Sequence, residues 1–270
     1  MTMFSRSQRG LSLVELMVGM TIALVAVAAA TSMYAATRQT SRVQASQARL
    51  AEDGRFAIFM LQRIIGQAGY RPPDGAKVIQ PLISNYLTPD ATTAATKAQV
   101  RFTGDTANVS SIDCAGALVS GAQVLTISGT GGTLSCTNAA NTATNWIAAS
   151  ASGTGGATEL VDFKLEYGTD RWGPLGNGVA VSTAIGCGAA MGSGLARDCV
   201  ADTYDEAIAI ANPANIIAVK ACLVLRAEAV DGAITKSAAV TNCSGGSVAN
   251  SQTDKKLYRT FRTTILLRNR

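Results

Sequence analysis

The chain has 270 residues, with 23 lysines and arginines against 18 aspartates and glutamates, six cysteines and no histidine. Without histidine, Ser–His–Asp and Cys–His catalysis are excluded and the commonest zinc ligand is missing. A formal charge of +5 spread over this length does not by itself imply nucleic acid, and the chain is long enough for one large or two small domains.

The first element is a short polar leader, Met1 to Gly10, carrying Arg6 and Arg9. Leu11-Ser12-Leu13-Val14-Glu15 follows, and then Leu16 to Thr37, 22 residues without a charge. As a helix that run rises about 33 Å, enough for a bilayer core of about 30 Å. Arginines before the span, and none until Arg38, hold the N-terminus in the cytoplasm and send the remainder across. A secretory signal has its cleavage site after the apolar core. Here the plausible cut lies before it, after Gly10; a cut among Ala23 to Ala30 is the alternative and would leave a secreted chain. Glu15 is the anomaly. A carboxylate at the centre of a bilayer helix costs about 2.5–3.5 kcal/mol, less near its end. Inside a bundle of membrane helices it requires a cationic partner; snorkelling to the interface is the simpler reading.

The helical pattern continues from Arg38 to Gly69 without a proline, with Val43, Leu50, Ala57, Leu61, Ile64, Ile65 and Ala68 near helical spacing. Joined to the apolar run, this predicts one helix of about 58 residues, or about 87 Å. Gly69 and Pro72-Pro73 end it. Residues 11–37 are then the membrane half, 38–70 an amphipathic continuation, and 71–270 a separate globular domain. Beyond Pro73 the period becomes two. Val100 and Phe102 begin it and Val124 to Ile127 continue it. Val161, Phe163, Leu165 and Tyr167 alternate with Asp162, Lys164 and Glu166. Ile216 to Arg226 and Leu257 to Arg268 are the longest strand candidates. No comparable helical pattern separates these strands, so an antiparallel sheet is expected rather than βαβ units. Residues 129–158 and 168–215, rich in Gly, Ser, Thr and Ala, read as long variable loops.

Six cysteines in a translocated domain read as disulfides. The simplest of the 15 connectivities they allow joins Cys114 to Cys136, Cys187 to Cys199 and Cys222 to Cys243. None is spaced as CxxC, so no metal cluster is expected. Asp198, Asp202, Asp205 and Glu206 lack the spacing of an EF-hand and read as a solvated acidic loop. Lys256, Arg262, Arg268 and Arg270 share one strand parity with Tyr258. Such a strip could meet DNA phosphates, but a charged face that discourages edge pairing explains it more simply. Gly129-Thr130-Gly131-Gly132 and Gly153-Thr154-Gly155-Gly156 lack the Lys-Ser/Thr pair of a phosphate loop. Neither a catalytic constellation nor a cofactor site is expected.

Arg9-Gly10-Leu11-Ser12-Leu13-Val14-Glu15-Leu16 resembles the class III leader of type IV pilins and pseudopilins, although Leu11 stands where phenylalanine is commoner. The resemblance implies that prepilin peptidase cuts after Gly10 and methylates the new amino terminus at Leu11, leaving a formal charge of +3. It also implies that Glu15 neutralises the N-terminal amine of a neighbouring subunit, which places another subunit above this one. Leu50-Ala51-Glu52-Asp53-Gly54-Arg55-Phe56-Ala57, with Leu61 and Ala68-Gly69-Tyr70, resembles the PilW-like minor pilins, as does Tyr258-Arg259-Thr260-Phe261 through Asn269. In these stretches Phe56, Leu61 and Phe261 are expected to pack in the core. The implied fold is the α+β pilin fold, one long N-terminal helix packed on an antiparallel sheet domain with disulfide-bearing loops. The implied role is structural rather than enzymatic: a minor pilin that primes assembly and joins a tip-proximal complex serving twitching and adhesion. Its implied partners are the major pilin, other minor pilins, prepilin peptidase, the inner-membrane assembly platform and a large tip adhesin. Its implied location is the inner membrane, with the C-terminal domain periplasmic, and then the fibre. The alternatives are a pseudopilin of type II secretion resembling its large J component, a DNA-uptake receptor, and a signal-anchored periplasmic enzyme.

Overall fold

A computed structural model of the chain describes residues 12–72, 83, 85–90, 96–107, 111–148, 158–169, 200–207, 210, 213–228, 230–232, 234–236 and 238–269. The chain divides into a unit ending at Ala45 and a unit from Ser46 to Arg270. One helix, α1 (Leu13–Gly66), runs through the first and opens the second.

In the first unit α1 has no interior. Leu13, Val14, Leu16, Met17, Met20, Ile22, Leu24 and Val25 are all more than half exposed, on every side of the helix. The hydroxyls scattered along it turn back on its own carbonyls. Thr21 donates to Val18 O at 2.9 Å, Thr31 to Ala28 O at 2.9 Å, Ser32 to Ala29 O at 2.8 Å and Thr37 to Met33 O at 2.8 Å. A helix hydrophobic all round with its polar groups satisfied internally is suited to lipid or to other apolar helices.

In the second unit α1 is amphipathic. Leu50, Gly54, Ala57, Leu61, Ile64 and Ile65 are buried at steps of three and four, a single stripe facing the core. Phe56 corrects the expectation from sequence. It is 47% exposed, on the outward face with Glu52 and Phe59, whereas Leu61 is fully buried and Phe261 half-buried. The helix stops at Gly66 and a turn carries the chain to Gly69, whose φ of 74° is left-handed and comfortable only for glycine. There the Gly69 N–H donates to Arg101 O at 2.9 Å, and the Asn269 amide donates to Gly66 O at 3.1 Å, satisfying a carbonyl of the last turn.

Apart from a single 3-10 turn at Pro213–Asn215, the remaining elements among the described residues are antiparallel strands, and they form two sheets rather than one. The first is a meander of β1 (Leu87–Pro89), β2 (Lys97–Gly104), β3 (Gly121–Thr130), β4 (Thr133–Thr137) and β5 (Ala143–Ile147). The second contains β6 (Thr158–Thr169), β7 (Thr203–Asp205), β8 (Ile216–Ala227) and β9 (Tyr258–Leu266), in the order β7-β6-β8-β9. Strand β7 falls in the second stretch expected to be loop, residues 168–215, and strands β4 and β5 fall in the first, residues 129–158. Their residues are mostly small and polar, so alternation is faint. The legible signal was the pair Gly131-Gly132, both with positive φ (61° and 80°), closing a two-residue turn between Thr130 and Thr133. Gly129 lets the sheets meet: a Cβ there would fall 2.3 Å from the Phe163 ring.

Strand β6 departs from its predicted alternation at one point. Leu160 faces Leu225 and Asp162 faces Val224, so Val161 is the extra residue of a bulge. Leu160 takes the buried place expected for Val161, and Phe163, Leu165 and Tyr167 remain inward.

Candidate functional site

The head of α1 is built by its first turn. The Ser12 carbonyl accepts the Leu16 N–H at 3.1 Å, which makes Ser12 the cap and Glu15 the third helical residue. Ser12-x-x-Glu15 has capping-box spacing, and a carboxylate in the first turn is favoured by the helix dipole. Glu15 is exposed and, among the described residues, has no ion-pair partner. Gly10 and Leu11 lie outside the described residues.

Cys114 is bonded to Cys136, with Cα atoms 5.4 Å apart, and Cys222 to Cys243, with Cα atoms 5.7 Å apart. Cys136 and Cys222 sit on strands β4 and β8, so each bridge closes a short loop and also ties it to a sheet. The Trp146 indole donates to Cys114 O at 3.0 Å, and the Cys243 N–H donates to the Asp162 carboxylate at 2.7 Å. Cys187 and Cys199 lie outside the described residues.

Among the described residues the acidic side chains do not converge on a metal site. Glu206 pairs with Lys164 at 2.7 Å, and Asp205 accepts the Thr203 hydroxyl at 2.7 Å. Among the described residues no group of three or more His, Cys, Asp and Glu could hold a metal ion; Asp198 lies outside them. The basic strip is also shorter than its parity suggested. Only Arg262 is on β9, since Lys256 precedes that strand and Arg268 follows it; Arg270 lies outside the described residues.

Sequence reasoning missed a charged cluster that joins β6, β8 and the start of β9. Arg226 pairs with Glu159 at 2.6 Å and Lys236 with Asp254 at 3.2 Å, while the Tyr258 hydroxyl donates to Asp254. Burial alone would raise the Asp254 carboxyl. Hydrogen bonds from Tyr258, the Lys256 N–H and Lys236 outweigh it and hold the carboxyl below its usual value. The carboxylates lie 95 positions apart in the chain, so no local spacing announces them. The Glu206 and Glu166 carboxylates similarly raise Lys164, against the opposing effect of burial.

An exposed apolar helix headed by a lone carboxylate, on the same chain as a disulfide-bonded antiparallel α+β unit, defines a type IV pilin-like protein. The prokaryotic N-terminal methylation motif matches residues 5–31. The family described as type IV pilus-assembly protein W, PilW, matches residues 118–269, more than half of the chain, and the protein belongs to that family. Among solved structures, the chain is similar to a type IV-like pilin from Thermus thermophilus. The two are 13% identical, with a TM-score of 0.43, over 82% of this chain and 97% of that one. Comparison with curated proteins gives no match. The family is one of pilus assembly, a structural rather than an enzymatic class.

Proposed function

We propose that this protein is a minor pilin of the type IV pilus. Prepilin peptidase cuts it after Gly10 and methylates Leu11. The apolar half of α1 holds it in the inner membrane, with the unit from Ser46 onward in the periplasm. The helix then leaves lipid for a bundle of like helices, with Glu15 setting register by pairing with a neighbour's N-terminal amine. In that setting the protein primes assembly and joins the tip-proximal minor pilins that serve adhesion and twitching. The observation that carries this reading is the exposed apolar half of α1 directly behind Glu15, within the stretch that matches the methylation motif. A carboxylate at that depth is costly unless a cation meets it. The PilW match favours the pilus over type II secretion.

The test is the intact mass and N-terminal peptide of the protein from its own cells, with an assay of surface pili after gene deletion. The expected chain begins at methylated Leu11, and the deletion strain loses most surface pili. A chain still carrying Met1 to Gly10, or cut within Ala23 to Ala30, would overturn the reading, as would normal piliation without the protein.

A further inference from the structure

Strand β9 ends its sheet, and its outer side is free among the described residues. Its pairing with β8 is continuous from Tyr258 opposite Arg226 to Leu266 opposite Ala218, without a bulge. In an antiparallel pair, successive residues alternate between bonding the partner strand and pointing away from it. Ala227 N–H donates to Leu257 O and Leu267 N–H to Ile217 O, so the odd-numbered residues of β9 face β8. The backbone N–H and C=O groups of Thr260, Arg262, Thr264 and Leu266 therefore point to the open edge. All four residues are exposed, Leu266 by 60%.

Edges of this length are usually blunted by proline, a bulge, short length or several charged side chains, and with Lys256 and Arg268 outside the strand the charged face expected from sequence is reduced here. The sequence Tyr-Arg-Thr-Phe-Arg-Thr-Thr-Ile-Leu has no proline or glycine, only two arginines and no carboxylate. Over the face of the sheet, from β6 across β8 to β9, lies a groove of about 650 Å³, lined by Lys164, Glu166, Lys220, Arg262 and Thr264 among others. Lys164 is satisfied by Glu206 and Glu166, and Lys220 lies over the Tyr204 ring at 3.5 Å. Arg262 has no charged partner among the described residues. A second copy of β9 paired antiparallel about Arg262 would set arginine opposite arginine, which disfavours that register. A phosphate polymer would meet Arg262 but could not use the unpaired carbonyls.

We propose that the outer edge of β9, from Thr260 to Leu266, accepts an extended polypeptide segment carrying a carboxylate that meets Arg262, as an added strand of the sheet. Backbone bonds to the four outward residues hold the segment, and Arg262 selects its charge.

The test uses the full chain in detergent micelles. The probes are a nine-residue peptide alternating valine and glutamate, its lysine counterpart, a copy of the glutamate peptide N-methylated along one edge, and a single-stranded oligonucleotide. The glutamate peptide should bind and should slow amide exchange at Thr260, Arg262, Thr264 and Leu266. The lysine and N-methylated peptides should bind at least about tenfold more weakly. Thr264→Pro should weaken binding similarly while sparing the ladder to β8, because its N–H points outward; Arg262→Glu should reverse the charge preference. Equal binding of the N-methylated peptide overturns the proposal without any variant needing to fold. So does tighter binding of the oligonucleotide, or protection of amides elsewhere.

Discussion

The ring of Phe261 on β9 lies against the backbone of Gly54 on α1, so close that a Cβ on Gly54 would come within 2.1–2.6 Å of three ring carbons. Gly54 is the one residue type that lets this aromatic side chain seat on the helix, and it does so at the cost of about 1 kcal/mol of helix propensity. The two residues stand 207 positions apart, in the two stretches that each resemble PilW-like proteins. Around them Gln62 donates to the Thr263 hydroxyl at 2.9 Å and Thr158 donates to Asp53. The amphipathic half of α1 is thereby keyed to the second sheet.

Gly54→Ala should destabilise the protein by about 1–3 kcal/mol through overpacking, despite the gain in helix propensity. Phe261→Leu in the same chain should recover part of the loss. Urea unfolding of the four members of that cycle, in micelles, should give a coupling outside the additive range of about 0.5 kcal/mol. Strict additivity would mean that the ring and the glycine do not touch.

The Cys222–Cys243 bridge closes a separation of 21 residues. The Cys222→Ser/Cys243→Ser double variant should lose about 3 kcal/mol, as expected for a loop of this size. The segment should also become more sensitive to protease, because its covalent tie to β8 is lost and the bond from the Cys243 N–H to Asp162 is left to hold that end to β6. An unchanged digestion pattern would show that the charged cluster fixes the segment without the bridge.

Acid should weaken the cluster around Asp254. Its folded carboxyl titrates below the unfolded value of about 3.9. The stability it contributes is therefore complete above that value and disappears as pH falls through the folded one. Asp254→Asn should be less stable than the natural protein at pH 7, and the difference should shrink below about pH 4. Lys164 has the opposite sign: its folded value is raised, so its contribution is complete below the unfolded value of about 10.4 and lost as pH rises through the folded one. Unfolding midpoints of Lys164→Met and the natural protein should converge in strong alkali.

Glu15→Ala should leave membrane insertion intact, since it removes a polar group from an apolar helix. It should nevertheless abolish recovery of the protein in sheared fibres, and Glu15→Asp should restore a fraction. Unimpaired incorporation of the alanine variant would assign Glu15 to capping the first turn alone.

The sequence by itself determined what depends on neighbours along the chain. The uncharged run behind Glu15, the helical stripe from Leu50 to Ile65 and the left-handed turn at Gly69 are local patterns, and the structure contains each of them, with the helix itself ending three residues earlier, at Gly66. The alternation in β6 and the apolar richness of β8 were legible for the same reason. Tertiary structure decided what depends on distant residues. The bulge at Val161 arises from the register with β8 and displaces an alternation that reads smoothly in the sequence. Strands β4 and β5 are held by their neighbours in the first sheet and by the bridge from Cys114, not by the propensity of serine, threonine and asparagine. Phe56 looks like core by composition, yet the helix is covered on one side only, and the aromatic contact that seats the helix comes from Phe261, near the other end of the chain. Burial, register and the free edge of β9 are properties of pairs of segments, and no single segment encodes them.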